Sequence, residues 1–295
     1  MAHVAVAKTY KLYLGGAFPR SESGRTYRVT DHEGAFMANA AQASRKDARD
    51  AVVAARKGQL GWAGATAYNR GQVIYRIAEM VEARRAEFAG LLRSTSGLSA
   101  REATAEIDAS VERLVHFAGW TDKLPAAFGA INPVAGPFFS YSAPEPTGIV
   151  AAVAPTSPVL LGLVATIAPI IAGGNAAIVI APGDTAVVAI TLAEALATSD
   201  VPGGVINVLT GDAAEVMPHL AAHEDVNALD LSALDADERQ PLELAAAETV
   251  KRVYAPHTRA DLTAAPGTAR LRAFLETKTV WHPSAGVSLG GGSGY

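Results

Sequence analysis

Between Glu145 and Asp184 the chain carries no charged residue. The run reads EPTGIVAAVAPTSPVLLGLVATIAPIIAGGNAAIVIAPGD. Apolar runs of this length first suggest a membrane span. Pro155, Pro158, Pro169 and the Gly173-Gly174-Asn175 turn cut it into pieces too short to cross a bilayer. The pattern instead predicts a strand over Ile149–Ala154, a helix over Val159–Ile171 and a second strand over Ala176–Ala181. Strands apolar on both faces belong in parallel sheets covered by helices, which makes the chain an α/β protein.

The rest of the sequence extends that unit. Asp184 stands where an N-cap would precede a helix bearing Val188, Leu192 and Leu196. Pro202-Gly203-Gly204 is a turn, Val205–Leu209 a strand, and Gly211-Asp212 opens a helix to about Ala222. Val226–Leu231, Asp235–Glu248 and Val250–Tyr254 read as strand, helix and strand. Such alternation predicts a doubly wound parallel sheet, with any ligand beyond the carboxyl ends of its strands. Those ends are Pro155–Ser157, Pro182–Asp184, Thr210–Asp212 and Ser232–Asp235.

Upstream, Tyr10–Gly15 and Thr26–Thr30 read as strands around a Pro19–Gly24 turn. Ser44 with Asp47 forms a capping box that starts a helix. One longer helix is expected over Asn69–Arg93 and a third over Glu102–Lys123, with Ile107, Val111, Leu114 and Val115 as its apolar stripe. Gly136–Pro144, bounded by proline, suits an edge strand or hairpin arm. After Pro256 a polar linker leads to the alternating AFLETKTVW and a low-complexity SLGGGSGY.

Composition excludes several classes. The 295 residues suit two domains, or one large domain with an appendage. With 49% apolar residues they can bury a sizeable core. A net charge of −4 carries no nucleic-acid or anionic-membrane signature. No cysteine is present, so disulfides, thiolate metal sites and a cysteine nucleophile are excluded. The first residues lack the apolar core of a signal peptide, and a cytoplasmic location is expected. Glu215, His219 and His223 have metal-ligand spacing, but His223 falls in a turn and no metal is expected. No G-x-S-x-G elbow supports a serine triad.

Several stretches resemble the aldehyde dehydrogenase superfamily. KLYLGGAFPRSESGRTYRV (11–29) resembles its opening hairpin. AVVAAR, Trp62 and NRGQVIYRIAEMVEARRAEFAGLL (69–92) resemble its first helices. HFAGWTDKL (116–124), EPTGIVAAVAP (145–155), AGGN (172–175), VPGGVINVLTG (201–211), HEDVNALDLS (223–232) and VKRV (250–253) continue the match. LETKTVW (275–281) resembles the family's last, oligomer-forming strand. The resemblance implies a doubly wound, Rossmann-like parallel sheet with N-terminal helices and a small β oligomerisation element. It implies an NAD-binding-type domain over 1–126 and 145–256, and the β element over 127–144 and 268–283. A linker over 257–267 stands in place of the catalytic domain, followed by a flexible tail over 284–295.

The family's chemistry, mapped position by position, is missing. Its mechanism needs a cysteine thiolate, and there is none. Pro256 occupies the position of the general-base glutamate. The loop that should supply an oxyanion asparagine is Pro155-Thr156-Ser157-Pro158, one residue shorter. Ile180-Ala181-Pro182-Gly183-Asp184 replaces the lysine-and-glutamate motif that holds the ribose. Ala233-Leu234-Asp235 replaces the triplet that faces the pyrophosphate, and a carboxylate there opposes phosphate. The positions left for a vestigial cofactor site are Thr156, Ser157, Asp184, Gly211 and Ser232. The expectation is no NAD binding, or weak binding. It is also a non-catalytic subunit, structural or regulatory, in a hetero-oligomer with a full-length aldehyde dehydrogenase or with itself. The alternatives are an oxidoreductase that takes catalytic groups from a partner chain, and a stand-alone nucleotide-binding module.

Overall fold

A computed structural model describes residues 8–284. Most of the tail expected over 284–295 lies outside the described residues. Three short strands come first: β1 (Thr9–Tyr10), β2 (Thr26–Thr30) and β3 (Phe36–Ala41), in the order β1-β3-β2. The strand expected over Tyr10–Gly15 pairs only at its start, parallel to β3. Tyr13 leaves that sheet and exchanges both backbone hydrogen bonds with Val208. An alternating pattern marks extended chain but does not say which strand it joins.

Helices follow. α1 (Arg45–Gly64) starts at the expected capping box: Asp47 Oδ2 accepts from the Ser44 amide at 2.7 Å. The long helix expected next is two, α2 (Ala67–Ala83) and α3 (Arg85–Ser96), broken at Arg84. Val81, Phe88 and Leu92 are buried on both sides of the break, so the apolar spacing runs through it. α4 (Ala100–Ala118) begins at a Ser99/Glu102 capping box and ends before Gly119, short of the expected Lys123. Val115, counted in its apolar stripe, is exposed. α5 (Leu124–Phe128) leads to β4 (Ala130–Asn132) and β5 (Phe138–Pro146).

The charge-free run forms β6 (Ile149–Val153), α6 (Val159–Ala172) and β7 (Ala176–Pro182). Every residue of β6 and α6 is buried. A 3₁₀ turn at Gly183–Thr185 precedes α7 (Ala186–Leu196). Then come β8 (Ile206–Gly211), α8 (Ala213–Ala221), β9 (Ala228–Asp230), α9 (Ala236–Ala247) and β10 (Arg252–Tyr254). Five parallel strands stand in the order β10-β9-β6-β7-β8. The order reverses between β6 and β9, as in a doubly wound sheet. Side chains alternate between two cores. Val150, Ala152 and Val179 pack with residues of α2, α4, α6 and α7. Ile149, Ala151, Val153 and Ile178 pack with residues of α1, α8 and α9. Each large aliphatic side chain buried this way contributes about 1.5–3 kcal/mol.

The chain then passes through α10 (Ala269–Ala273), which the sequence did not indicate, into β11 (Leu275–Pro283). β11 pairs antiparallel with β5 from Leu275↔Pro146 to Pro283↔Phe138. The small sheet has the order β11-β5-β4, so of the two readings of Gly136–Pro144 the hairpin arm holds, with β5 antiparallel to β4, and the edge strand does not. Pro144 and Pro146 lie at one end of β5, where their lack of an N–H costs little.

The approach of α1 to the turn before β8 depends on glycine. Gly204 has φ +91°, and a Cβ there would lie 2.1 Å from the Ala54 carbonyl oxygen. Gly24, at φ +69°, has open space around it. Gly204→Ala is expected to destabilise the protein by roughly 2–4 kcal/mol. Gly24→Ala, which bears only the left-handed backbone cost, should lose roughly 1–2 kcal/mol. Chemical denaturation of both variants checks the ranking, and equal losses would contradict it.

Candidate functional site

The strand order reverses between β6 and β9, so the crevice beyond their carboxyl ends is the place to look for a ligand. A cavity of about 460 Å³ lies there. Ser157, after β6, and Ser232, after β9, both line it. Thr156 is exposed and is not among the lining residues. Asp184 and Gly211 sit apart from this crevice, beside the N-terminal strands. Asp184 does not cap α7: it lies within the 3₁₀ turn, and its Oδ1 accepts from the Thr30 amide at 3.3 Å. Tyr27 donates to the neighbouring Gly183 carbonyl at 2.8 Å, and burial, with Asp184 second, raises its phenol above the usual value. Gly211 is approached by the Gln42 side chain, which a Cβ there would meet at 2.9 Å. The five sequence-predicted positions therefore do not form one site.

The helix N-termini around the crevice matter more, since their free amides attract anions. At α6 these amides are already used. Glu106, on α4, accepts from the Leu160 amide at 2.7 Å and from the Leu161 amide at 3.3 Å. Burial raises the Glu106 carboxyl above the ordinary glutamate range, and the backbone donors offset this only in part. At α9, Asp235 is the N-cap. Its Oδ1 accepts from the Glu238 amide at 3.1 Å, and Glu238 Oε2 accepts from the Asp235 amide at 2.9 Å. The acid that the sequence placed opposite a phosphate thus satisfies its own helix. Away from the crevice, at α8, Asp212 accepts from the Ala214 amide at 2.9 Å.

Three arginines order the crevice, Arg270 at its floor and Arg239 and Arg113 at its opening. Asp230, fully buried at the end of β9, accepts from the Ser232 hydroxyl at 2.6 Å and its amide at 3.1 Å. Arg270 Nε, from α10, lies 3.0 Å from Asp230 Oδ2, and Arg270 Nη1 donates to the Ala165 carbonyl at 2.8 Å. Arg270 also donates to the Ser232 hydroxyl. Residues 256–264 lie across the opening. Arg239 donates to the Pro256 carbonyl at 2.8 Å, and Arg113, on α4, to the Leu262 and Ala264 carbonyls at 2.6 and 3.0 Å.

The sequence missed Glu106 and Arg113. A signal was present: Glu106, Ser110 and Arg113 recur at helical spacing beside the apolar stripe of α4. Among the described residues no cluster of acids and histidines forms a metal site. Glu215, from the spacing weighed above, pairs with Arg25 and accepts from Gln42.

The sequence model described as the aldehyde dehydrogenase family matches residues 18–255. Among solved structures, the NAD+ complex of an aldehyde dehydrogenase from Bacillus cereus is 25% identical, with a TM-score of 0.78. PnpE from Pseudomonas sp. WBC-3 is 26% identical, with a TM-score of 0.75. A point mutant of betaine aldehyde dehydrogenase from Staphylococcus aureus, solved with NAD+, is 23% identical with a TM-score of 0.77 and shows the fold alone. Each match covers 83% of this chain and 50% of the other. The chain therefore spans about half the length of these solved proteins.

Glu106 allows a direct test of the stoppered α6 terminus. Glu106→Ala should cost roughly 0.5–2 kcal/mol, because two amides lose their acceptor. Glu106→Gln removes the ionisation. The folded-state value of Glu106 is raised, so its contribution is fully present below the ordinary glutamate range and lost as the pH rises through the raised value. The wild type should therefore gain thermal stability relative to Glu106→Gln between about pH 7.5 and about pH 4.5. Melting curves across that range decide it, and a wild-type advantage that shrinks on acidification would contradict the assignment.

Proposed function

Because the chain belongs to the aldehyde dehydrogenase family, we propose that it is a non-catalytic subunit, structural or regulatory, in an assembly with a full-length family member. The observation that carries this reading is that the chain's own side chains take helix amides that face the crevice. Glu106 takes the Leu160 and Leu161 amides, the Asp235–Glu238 box puts two carboxylates at the α9 terminus, and residues 256–264 cross the opening. These residues do not fit a dinucleotide, so NAD binding is weak or absent. The 295 residues hold no cysteine to attack an aldehyde. Pro256, where the resemblance puts the general base, offers only a carbonyl, already bonded to Arg239.

Assembly is the function left to the small sheet. β11 and β4 are its edges, and the outer edge of β11 has no strand beside it among the described residues. Ile131 and Tyr141 stand opposite each other, as do Tyr141 and Val280, and Phe139 pairs with His282 on the same face. Ile131 is 76% exposed, Phe139 47% and Trp281 57%. Apolar residues beside an unpaired strand edge suit pairing with another chain. The partner is a full-length aldehyde dehydrogenase, and a second copy of this chain is the competing occupant. A cytoplasmic setting belongs to the same proposal.

The isolated chain should not reduce NAD or NADP with short or aromatic aldehydes, and calorimetry should find NAD binding no tighter than about millimolar. Turnover that survives repurification, or a micromolar dissociation constant of about −8 kcal/mol, would overturn the non-catalytic reading. Co-expression with full-length homologues, followed by size-exclusion chromatography and native mass measurement, should give a mixed oligomer. Phe139→Asp with Trp281→Asp should abolish it. Recovery of a monomer alone with every homologue, or of a homo-oligomer alone, would overturn the partner assignment.

A further inference from the structure

Arg113 is 8% exposed and lines the cavity under residues 256–264. Its Nη2 is used on the Leu262 and Ala264 carbonyls. No carboxylate among the described residues pairs with it. The nearby acids are committed elsewhere. Asp230 pairs with Arg270, Glu106 holds the α6 amides, and Asp261 Oδ1 accepts from the Thr263 amide at 2.9 Å and hydroxyl at 2.6 Å. A buried cation without a counter-ion is costly. Burial, with the Arg270 charge second, accordingly pulls the Arg113 guanidinium below its ordinary value. Arg259 adds a further cation at the exposed rim of the cavity.

The walls are of a different kind. Phe117, Pro158, Pro169 and Tyr254 are among the residues that line it. A volume of about 460 Å³ is in the range of pockets that enclose a small organic molecule. We infer that this cavity binds an organic monocarboxylate with an apolar, ring-sized body. The carboxylate meets the guanidinium edge of Arg113 left free by the two carbonyl bonds, in the planar fork that suits it. The body lies against Phe117, Pro158, Pro169 and Tyr254. A phosphate is disfavoured because Glu106 and Asp235 place carboxylates at the helix termini that would share its charge. This inference rests on the chain's own cavity and does not depend on the partner subunit.

The test is calorimetric titration of the full chain with benzoate and octanoate. Benzyl alcohol serves as the neutral body and inorganic phosphate as the bodiless anion. Benzoate should bind saturably, and benzyl alcohol and phosphate at least about tenfold more weakly. Arg113→Gln should weaken benzoate by about tenfold or more. That variant also loosens residues 262–264, so Ala233→Phe is the second arm. It narrows the cavity while leaving the guanidinium in place, and should lose benzoate too. Circular dichroism melting confirms that both variants are folded. The inference is overturned if neither carboxylate binds saturably. Phosphate matching benzoate, or benzoate binding unchanged in either folded variant, would overturn it equally.

Discussion

The structure depends on covering both faces of a sheet in which β6 and β7 carry no polar side chain. β6 is Ile-Val-Ala-Ala-Val, and all of it is buried. A strand like this is stable only with helices on both sides, and the two cores supply them. α6 is itself buried on every side, because α4 lies over it and Trp62 of α1 reaches it to donate to the Ile171 carbonyl at 2.8 Å. The fully buried Asn175 is the exception that orders the unit. Its Oδ1 accepts from the Gly148 amide at 2.8 Å, and its Nδ2 donates to the Ile170 and Phe274 carbonyls at 3.2 and 2.9 Å. One amide thus joins the start of β6, the end of α6 and the entry to β11.

Covering a parallel sheet with helices has a chemical consequence. Each helix that follows a strand points its amide end at the same edge, which becomes attractive to anions. A cofactor can use that attraction. In this chain side chains accept from some of those amides: Glu106 at α6, Asp212 at α8 and Asp235 at α9. The edge has the shape of a nucleotide fold, and part of its donor set is used internally. Asp230 and Arg270 neutralise each other at its floor, and Arg113 is a buried charge with no carboxylate partner among the described residues.

The sequence reveals those parts of the fold in which local chemistry and tertiary packing agree. Ser44 and Asp47 start α1 where their spacing says, because a capping box is local. The β6–α6–β7 unit falls within a residue or so of its expected bounds, because its prolines and glycines stop each element. Elsewhere the deciding contact is remote in sequence. Asp184 has the composition of an N-cap but is drawn to the Thr30 amide of β2. β5 is proline-flanked like an edge, yet β11 pairs along its other side. Glu106 and Arg113 look like the polar flank of an amphipathic helix. Only the packing of α4 on α6 and under residues 262–264 gives them partners.

The short connection from β10 to β11 is held from both sides. Arg252 of β10 grips Glu276 of β11 through two contacts, Nε–Oε1 at 2.5 Å and Nη2–Oε2 at 2.6 Å. The Thr147 amide donates to the Phe274 carbonyl at 3.2 Å, and Phe274 is fully buried in the main core. The pair formed by Arg252 and Glu276 is partly exposed and contributes little alone. Its neighbours Phe274 and Leu275, buried in the core, supply most of the anchoring. The small sheet is therefore fixed to the large one by residues that lie on either side of 255–268, and needs nothing between them to hold its place. The strand edge and aromatic residues of the small sheet are thus positioned by the same core that lies beneath the crevice.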